Sequence, residues 1–534
     1  MRLFSRLATL LTLLVLATLA SGCSSSQDTG FPLWPLGGEE FGLKDVTFAG
    51  DRSAEAAEPT TNVPEDGHGS KTDKEKRPNI VLVSVDDLDL QTAQSLSGVQ
   101  EVMAEEGVSF ENAFVTNPIC CPSRATTLRG QYAHNTLVQG NQPPQGGYEK
   151  FHRLGRERST VATWLDEAGY NTAYMGKYMN GYNGTNVPQG WDDWLAVSGN
   201  YASDALTYNG TLLPNALQGR HETDVLTRKS SLYIEHASKS RKPFFLYLAP
   251  RAPHQPAKPA PRHRDLYSSA EVPAEPSDDP AYNEADLSDK PAWLAQRQPL
   301  TQRQKLRMDE LHRDRLRSMA SVEEMMVGLE QKLKKTGELD DTYIVFTSDN
   351  GFHMGQHRLP IGKWTAYEED IRVPLMIRGP GVPEGQSREH MVLNNDFAPT
   401  FAELGGAKTP EFVDGGSLVP LLERNVPPPE SWREAFLIEG GAFFPGAGAG
   451  TPIGRPRFDA VRTDDHLYVE YASGAQELYD LRKDPHQLEN LLAPSSPEAE
   501  PEIVNRLAQR LDELRGCSGE TCWRTETEEA TSSP

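Results

Sequence analysis

The sequence predicts an α/β fold: a large mixed, mostly parallel central sheet flanked by helices, plus a small C-terminal antiparallel sheet with a covering helix. Three observations predict it. Near-continuous apolar runs at 79–85, 243–248 and 342–347 have the composition of strands buried on both faces. Amphipathic helical patterns lie between them, as parallel crossovers require. After about residue 385 the texture changes to short strand-like runs and a terminal helix.

The chain as a whole sets limits. Its 534 residues, 37% hydrophobic and 24% charged, are ordinary globular composition with ample length for a large core. A formal net charge of −23 excludes nucleic acid as a partner, because its phosphates would be repelled. A small anionic substrate stays open, since a local cationic pocket can oppose the global field.

Taken in order, the chain begins with Arg2 and Arg6 before an apolar run over 7–20, too short to span a bilayer comfortably. That is an export signal. Ala20-Ser21-Gly22-Cys23 resembles a bacterial lipoprotein cleavage box, which makes Cys23 a lipid-anchored mature N-terminus. Ordinary secretion, with Cys23 a bystander, is the alternative. Either way the protein is exported, and membrane contact is expected through the lipid anchor only. Residues 1–23 are then signal peptide and anchor, and 24–76 a flexible tether with a more apolar stretch over 31–48. A catalytic domain is expected over 77–385, a C-terminal subdomain over 386–515 and a tail over 516–534. In an exported chain Cys517 and Cys522, close together in that tail, are expected to form a disulfide; no histidine or cysteine nearby in sequence completes a metal site.

The 79–85 strand ends in Asp86-Asp87. Two adjacent carboxylates at the end of a buried strand repel unless something positive binds them, and ligands of open α/β sheets gather at such ends. A helical pattern over 99–106 and a strand over 108–115 deliver the chain to Cys120. Residues 125–130 read as the start of a helix, with Cys120 before it and Arg124 a fixed cation. An anion there would face backbone N–H groups and the positive end of the helix dipole. A helix over 160–168 and a strand over 172–175 lead to Gly176-Lys177. A helix over 223–237 precedes the 243–248 strand, which runs into Pro253-His254. Residues 256–300 read as a surface excursion, and 302–334 as a long helix with a Met-rich core stripe. The 342–347 strand ends in Ser348-Asp349-Asn350-Gly351, followed by His353, His357 and Lys363, then a strand over 373–377. Beyond it come a helix over 395–404, short strands over 435–439, 458–462, 466–471 and 477–481, and the covering helix over 501–514.

The strand ends therefore carry a constellation. Asp86, Asp87, Asp349 and Asn350 offer hard oxygen ligands, which suit Ca²⁺ or Mg²⁺ over zinc. Arg124, Lys177, Lys363 and His254 offer positive charge or proton transfer, and Cys120 the reacting atom.

On these residues the chain resembles the type I, formylglycine-dependent sulfatases of the alkaline phosphatase superfamily. Cys120-Cys121-Pro122-Ser123-Arg124 matches their signature, and Asp86-Asp87, Gly176-Lys177, Pro253-His254, Asp349-Asn350-Gly351 and Lys363 match their other motifs. The stretch from Gly337 to Gly381 looks most like the N-acetylglucosamine-6-sulfatase branch, and Glu477-Leu478-Tyr479-Asp480-Leu481 is similar to the family's C-terminal segment. The resemblance implies an alkaline-phosphatase-like sandwich and hydrolysis of a sulfate ester, either a sulfated sugar or an aryl sulfate. It implies that a separate formylglycine-generating enzyme oxidises Cys120. A hydrated aldehyde there has two hydroxyls: one attacks sulfur, and the other collapses to expel sulfate. It implies one divalent metal on Asp86, Asp87, Asp349, Asn350 and residue 120, with Ca²⁺ favoured over Mg²⁺. Lys177 and Lys363 would hold the ester oxygens, His254 or Lys363 would protonate the leaving alcohol, and Arg124 would orient the diol. Many family members carry a histidine where this chain has Met179, so His353 is the candidate substitute at the substrate. Rival readings are a phosphoester or phosphonate hydrolase on the same scaffold, and an inactive surface-binding lipoprotein.

Overall fold

A computed structural model describes residues 77–184, 186–199, 203–268, 272–440, 456–495 and 499–527. The export signal, Cys23, the tether over 24–76 and the last seven positions, 528–534, lie outside the described residues. In chain order the strands are β1 (Asn79–Val85), β2 (Val108–Phe110), β3 (Ala113–Phe114), β4 (Asn171–Gly176), β5 (Asp193–Ser198), β6 (Ala205–Tyr208), β7 (Thr211–Leu213) and β8 (Phe244–Ala249). Then come β9 (Thr342–Ser348), β10 (Leu375–Arg378), β11 (Gln386–Arg388), β12 (Val392–Leu393), β13 (Ala435–Gly440), β14 (Phe458–Thr463), β15 (His466–Tyr471) and β16 (Gln476–Asp480).

The central sheet has ten strands in the order β11-β2-β10-β9-β1-β8-β4-β5-β6-β7. Its middle is parallel: β1 pairs with β8 and β9, and β4 with β8 and β5. Antiparallel pairs β9–β10, β10–β2, β5–β6 and β6–β7 make it mixed. The apolar runs predict this centre correctly because β1, β8 and the end of β9 are buried on both faces. Register fixes the site: Val85 lies opposite Ser348, and Gly176 opposite Ala249. Four chemistry-bearing turns, after β1, β9, β4 and β8, therefore leave one end of the sheet side by side.

Several local expectations are corrected. The helix after the second strand starts at Cys120, not Ala125, and runs to Arg129. The 108–115 run is split between β2 in the central sheet and β3 in a small sheet with β12. The 99–106 helix begins at Ser97 and continues as a π-turn over Gln100–Ala104. Between Lys177 and the 223–237 helix, where the sequence reading places no element, lie β5 and the β6–β7 hairpin; that hairpin turns through Asn209-Gly210, both at positive φ. Past residue 385 the chain stays with the central sheet for a stretch: β11 pairs with β2 there, and the Phe397–Gly405 helix packs on the Val161–Glu167 helix. The separate four-stranded sheet, β13-β14-β15-β16, starts at Ala435. The Pro501–Arg515 helix covers it with Leu507, Leu511 and Leu514, all buried. Each such leucine contributes about 1.5–3 kcal/mol.

The presumed tail over 516–534 carries a helix, Glu520–Thr527, and the Cys517–Cys522 disulfide lies at its start. His134, distant in sequence, accompanies the pair, its Nε2 2.9 Å from the Cys517 carbonyl oxygen. The helix is bolted down by charge. Arg433, fully buried, donates to both Asp396 oxygens at 2.8 Å and to Glu526 Oε2 at 2.8 Å. Tyr132 donates its hydroxyl to the other Glu526 oxygen. Burial pushes the Glu526 carboxyl up to about 7 despite Arg433. Arg433→Ala would strand two buried carboxylates and is expected to cost about 3–5 kcal/mol. The check is a lowered thermal midpoint together with faster amide exchange over 520–527; an unchanged midpoint contradicts it.

Candidate active site

Apart from Lys363, which the loop beyond β9 presents, each functional side chain is delivered by a strand end or the helix beside it. Asp86 and Asp87 follow β1, and Asp349 and Asn350 follow β9, where the Asp349 N–H donates to Val85 O at 3.0 Å. Lys177 follows β4 and donates its N–H to Ala249 O at 2.7 Å. The turn after β8 bridges back at Asp86–Pro253, with Asp86 N–H donating to Ala252 O at 3.1 Å, and this brings His254 in. Cys120 is the first residue of its helix, entered through the extended residue Ile119.

The structure brings the predicted set together. Lys177 Nζ donates to Asp86 Oδ1 at 2.8 Å and Oδ2 at 2.6 Å. Arg124 Nε donates to Asp349 Oδ2 at 2.8 Å, and its Nη1 to the Lys177 carbonyl at 2.7 Å. Asp349 Oδ1 accepts from the Asp87 N–H at 3.1 Å, and Asn350 Nδ2 donates to Asp87 Oδ1 at 2.8 Å. His254 Nε2 lies 3.4 Å from Asp87 Oδ2. Cys120 Sγ is 3.7 Å from Asp86 Oδ1 and 2.9 Å from Lys363 Nζ. Lys363 also donates to Asp87 Oδ1, and to Asn350 Oδ1 at 3.2 Å.

Three carboxylates are buried here, Asp86 at 0%, Asp87 at 2% and Asp349 at 3% exposure. Burial pushes the Asp86 carboxyl up, but Lys177, with His254 and Arg124, outweighs it and holds the group below the usual carboxylate range. Asp87 is likewise pushed up by burial and brought down by Lys363 and His254. Lys363 shows what the donors want. Its ammonium touches Asp87, Asn350 and residue 120 at once, so oxygen ligands from two strand ends already surround one cation position. Asp86, Asp87, Cys120 and His254 each place an atom within 4.8 Å of the others. Within and beside this cluster the Asp86 and Asp87 carboxylates and the Asn350 amide oxygen are the hard donors, the kind a divalent ion such as Ca²⁺ or Mg²⁺ takes.

Cys120 itself is a poor nucleophile as a thiol. Burial pushes its pKa up in spite of Lys177 and Lys363, so little thiolate forms near neutral pH. Cys121 is turned elsewhere: its sulfur accepts the Asn180 N–H at 3.0 Å, and burial pushes it up to about 12. Of the two adjacent cysteines, Cys120 meets the carboxylates. Met179 packs in the apolar core. His353 is buried against Asp370, 2.8 Å from Nδ1 to Oδ1, and its backbone pairs with Gly362 at 2.8 and 3.0 Å. It anchors the loop that presents Lys363. Arg315 is the residue the sequence reading missed, although it interrupts an apolar helical stripe.

The sulfatase sequence profile matches residues 78–407, and the C-terminal profile of N-sulphoglucosamine sulphohydrolase matches 355–516. The chain belongs to the sulfatase family. This sulfatase is 35% identical over 500 residues to an arylsulfatase of Volvox carteri, covering 84% of this chain and 76% of that protein. It is 32% identical over 497 residues to an N-acetylglucosamine-6-sulfatase of Capra hircus, covering 84% and 85%. A solved protein in complex with its substrate D-glucosamine-2-N,6-O-disulfate shares the fold with a TM-score of 0.67 and 24% identity, over 86% of this chain and all of the other. A phosphonate monoester hydrolase of Agrobacterium radiobacter shares it with a TM-score of 0.62 at 21% identity, over 82% and 95%. The scaffold alone therefore does not separate sulfur from phosphorus esters; the sequence relatives do. This sulfatase hydrolyses sulfate esters, as its family does.

The raised, buried thiols generate a labelling prediction. In folded protein whose residue 120 is still cysteine, Cys120 and Cys121 are expected to resist iodoacetamide at pH 8 and to react fully once unfolded. Peptide mass spectrometry of native and denatured samples checks this, and rapid native labelling of Cys120 contradicts it.

Proposed function

We propose that this sulfatase removes sulfate from a 6-O-sulfated glucosamine or a related sulfated glycan outside the cell, through residue 120 converted to formylglycine. The single observation that carries the reading is convergence. Asp87 and Asn350, from two strand ends, meet the residue 120 side chain around the Lys363 ammonium, Asp86 lies within 4.8 Å of Asp87 and Cys120, and Asp349 accepts from the Asp87 N–H beside them. A high thiol pKa supports the oxidised form, since the unmodified side chain has little nucleophilic character. The named activity of the Capra hircus relative, and the substrate of the structural neighbour, support the sugar. Relatives named as extracellular sulfatases support export, and the lipid anchor at Cys23 is the proposed means of retention. Among the described residues, no helix is long and apolar enough to cross a membrane.

Asp86, Asp87, Asp349 and Asn350, with residue 120, would hold the divalent ion, Ca²⁺ in preference to Mg²⁺. When bound, the ion supplies positive charge to the sulfate oxygens and to the residue 120 hydroxyl. Lys177 is locked on Asp86 and turns its remaining donor capacity to an ester oxygen. Arg124 holds Asp349 and the Lys177 backbone, so it orients the wall against which residue 120 reacts. His254 Nδ1 lies 2.6 Å from the Gln255 carbonyl, which it meets as an N–H donor and so leaves Nε2 toward the site. His254 or Lys363 delivers the proton to the departing alcohol.

Two measurements test this. Enzyme coexpressed with a formylglycine-generating enzyme is expected to carry the aldehyde at 120 by peptide mass spectrometry, and Cys120→Ala to lose all turnover of 6-sulfated N-acetylglucosamine and of 4-nitrophenyl sulfate. A cysteine persisting at 120 in fully active enzyme, or faster turnover of 4-nitrophenyl phosphate, sinks the reading. The proton donor is found by leaving group. Removing the true acid costs about 10²–10⁴-fold on a sugar sulfate and far less on 4-nitrophenyl sulfate, whose phenolate leaves unprotonated. His254→Ala and Lys363→Ala are compared on both substrates. Equal losses on the two esters exclude that residue as the acid.

A further inference from the structure

We propose that Arg315 is a positioning residue for the divalent centre. This rests on the reading of Asp86, Asp87, Asp349 and Asn350 as its ligands. Arg315 lies mid-way along the Gln302–Thr336 helix and is fully buried. Its Nη2 donates to the Asp87 carbonyl at 2.6 Å and to Asp89 Oδ2 at 2.8 Å. Its guanidinium carbon stands 4.4 Å from the centroid of the Phe352 ring. One side chain thus touches both ligand-bearing turns, the one after β1 and the one after β9.

The Asp87 backbone explains why a clamp is needed there. In an extended strand, neighbouring side chains point to opposite faces. Asp86 and Asp87 instead place oxygens within 4.8 Å of each other. The convergence comes from Asp87, whose φ of +67° is left-handed, a conformation uncommon outside glycine that aspartate adopts more readily than most residues and that fixed partners on its peptide select. Leu88 N–H donates to Ser348 Oγ at 2.8 Å on one side of the peptide, and Arg315 holds the Asp87 carbonyl on the other. Packing alone gives no reason for arginine at this place. Its Nε and Nη1 are buried without a hydrogen-bond partner among the described residues, which is costly, and an apolar side chain of similar volume would fill the space without that penalty.

The test measures metal binding directly on full-length, matured enzyme stripped with chelator and titrated with CaCl₂ by calorimetry. Arg315→Met keeps the stem and removes both donors; Ca²⁺ affinity is expected to fall about 10–100-fold, the range found when a partner behind a metal ligand is lost. Arg315→Lys restores a donor for the Asp87 carbonyl and is expected to fall between. Leu329→Ala is the control for general loss of stability: it opens a cavity in the same helix, roughly 21 Å further along at 1.5 Å per residue. It should lower the thermal midpoint and leave the Ca²⁺ affinity alone. Wild-type affinity in Arg315→Met, or an equal loss in Leu329→Ala, overturns the proposal. If Arg315→Met does not fold, wild-type affinity in Arg315→Lys overturns it. If the unsubstituted enzyme binds neither Ca²⁺ nor Mg²⁺, the reading of the centre itself falls.

Discussion

The structure depends on neutralising three carboxylates that the sheet forces into one water-poor place. β1 and β9 are in register to their last residues, so Asp86, Asp87 and Asp349 leave the sheet beside one another. At such spacing in a protein interior, unpaired carboxylates would repel strongly and take up protons. Each instead has a cation of fixed origin: Lys177 on Asp86, Lys363 on Asp87 and Arg124 on Asp349. These come from β4, from the loop after β9 and from the helix that begins at Cys120. The charge requirement therefore ties together segments that hydrophobic packing alone would leave free to shift.

Much of this is legible in the sequence, and for a physical reason. A strand buried on both faces has no polar alternation, so β1, β8 and β9 announce themselves, and the residues just after each run must lie at the sheet's end. Asp86, Lys177, His254 and Asp349 are therefore readable as neighbours from sequence alone. The helix at Cys120 reads as starting five residues late because Pro122 looks like a break, whereas proline is at home in a helix's first turn. The β6–β7 hairpin is easily passed over although Asn209-Gly210 is a strong turn signal, because its strands are short and β7 is largely exposed. The 516–534 stretch looks like a tail because it is polar. What orders Glu520–Thr527 is a partner far away in sequence, Arg433, which no local pattern reveals.

Arg315 shows the same limit at the site. Met308, His312, Arg315, Met319, Val322 and Met326 succeed one another at three- and four-residue steps and all are buried. A sequence reading that counts only the methionines and valines sees a core stripe and stops. The informative members are the two that break it. A charge in the middle of an apolar face must find a partner inside the protein, and here the partners are Asp89 and the Asp87 backbone. Polar interruptions of an otherwise apolar helical stripe are therefore worth tracing to the element they face.

The charge balance also gives the divalent ion its role. Asp86, Asp87 and Asp349 against Lys177, Lys363 and Arg124 leave the pocket close to neutral in formal charge. A neutral pocket in a chain of net charge −23 has little to attract a sulfate ester. A bound divalent ion would tip the local balance positive and leave Lys363 free to turn from Asp87 toward the substrate's oxygens, with Lys177 still held on Asp86. Lys363 now stands among the very oxygens that would hold such an ion. An ion held there would share those donors with the ammonium, and Lys363 would then be available to an ester oxygen or a departing alcohol. On the proposed reading a divalent ion and the Lys363 ammonium would be alternative occupants of one set of donors.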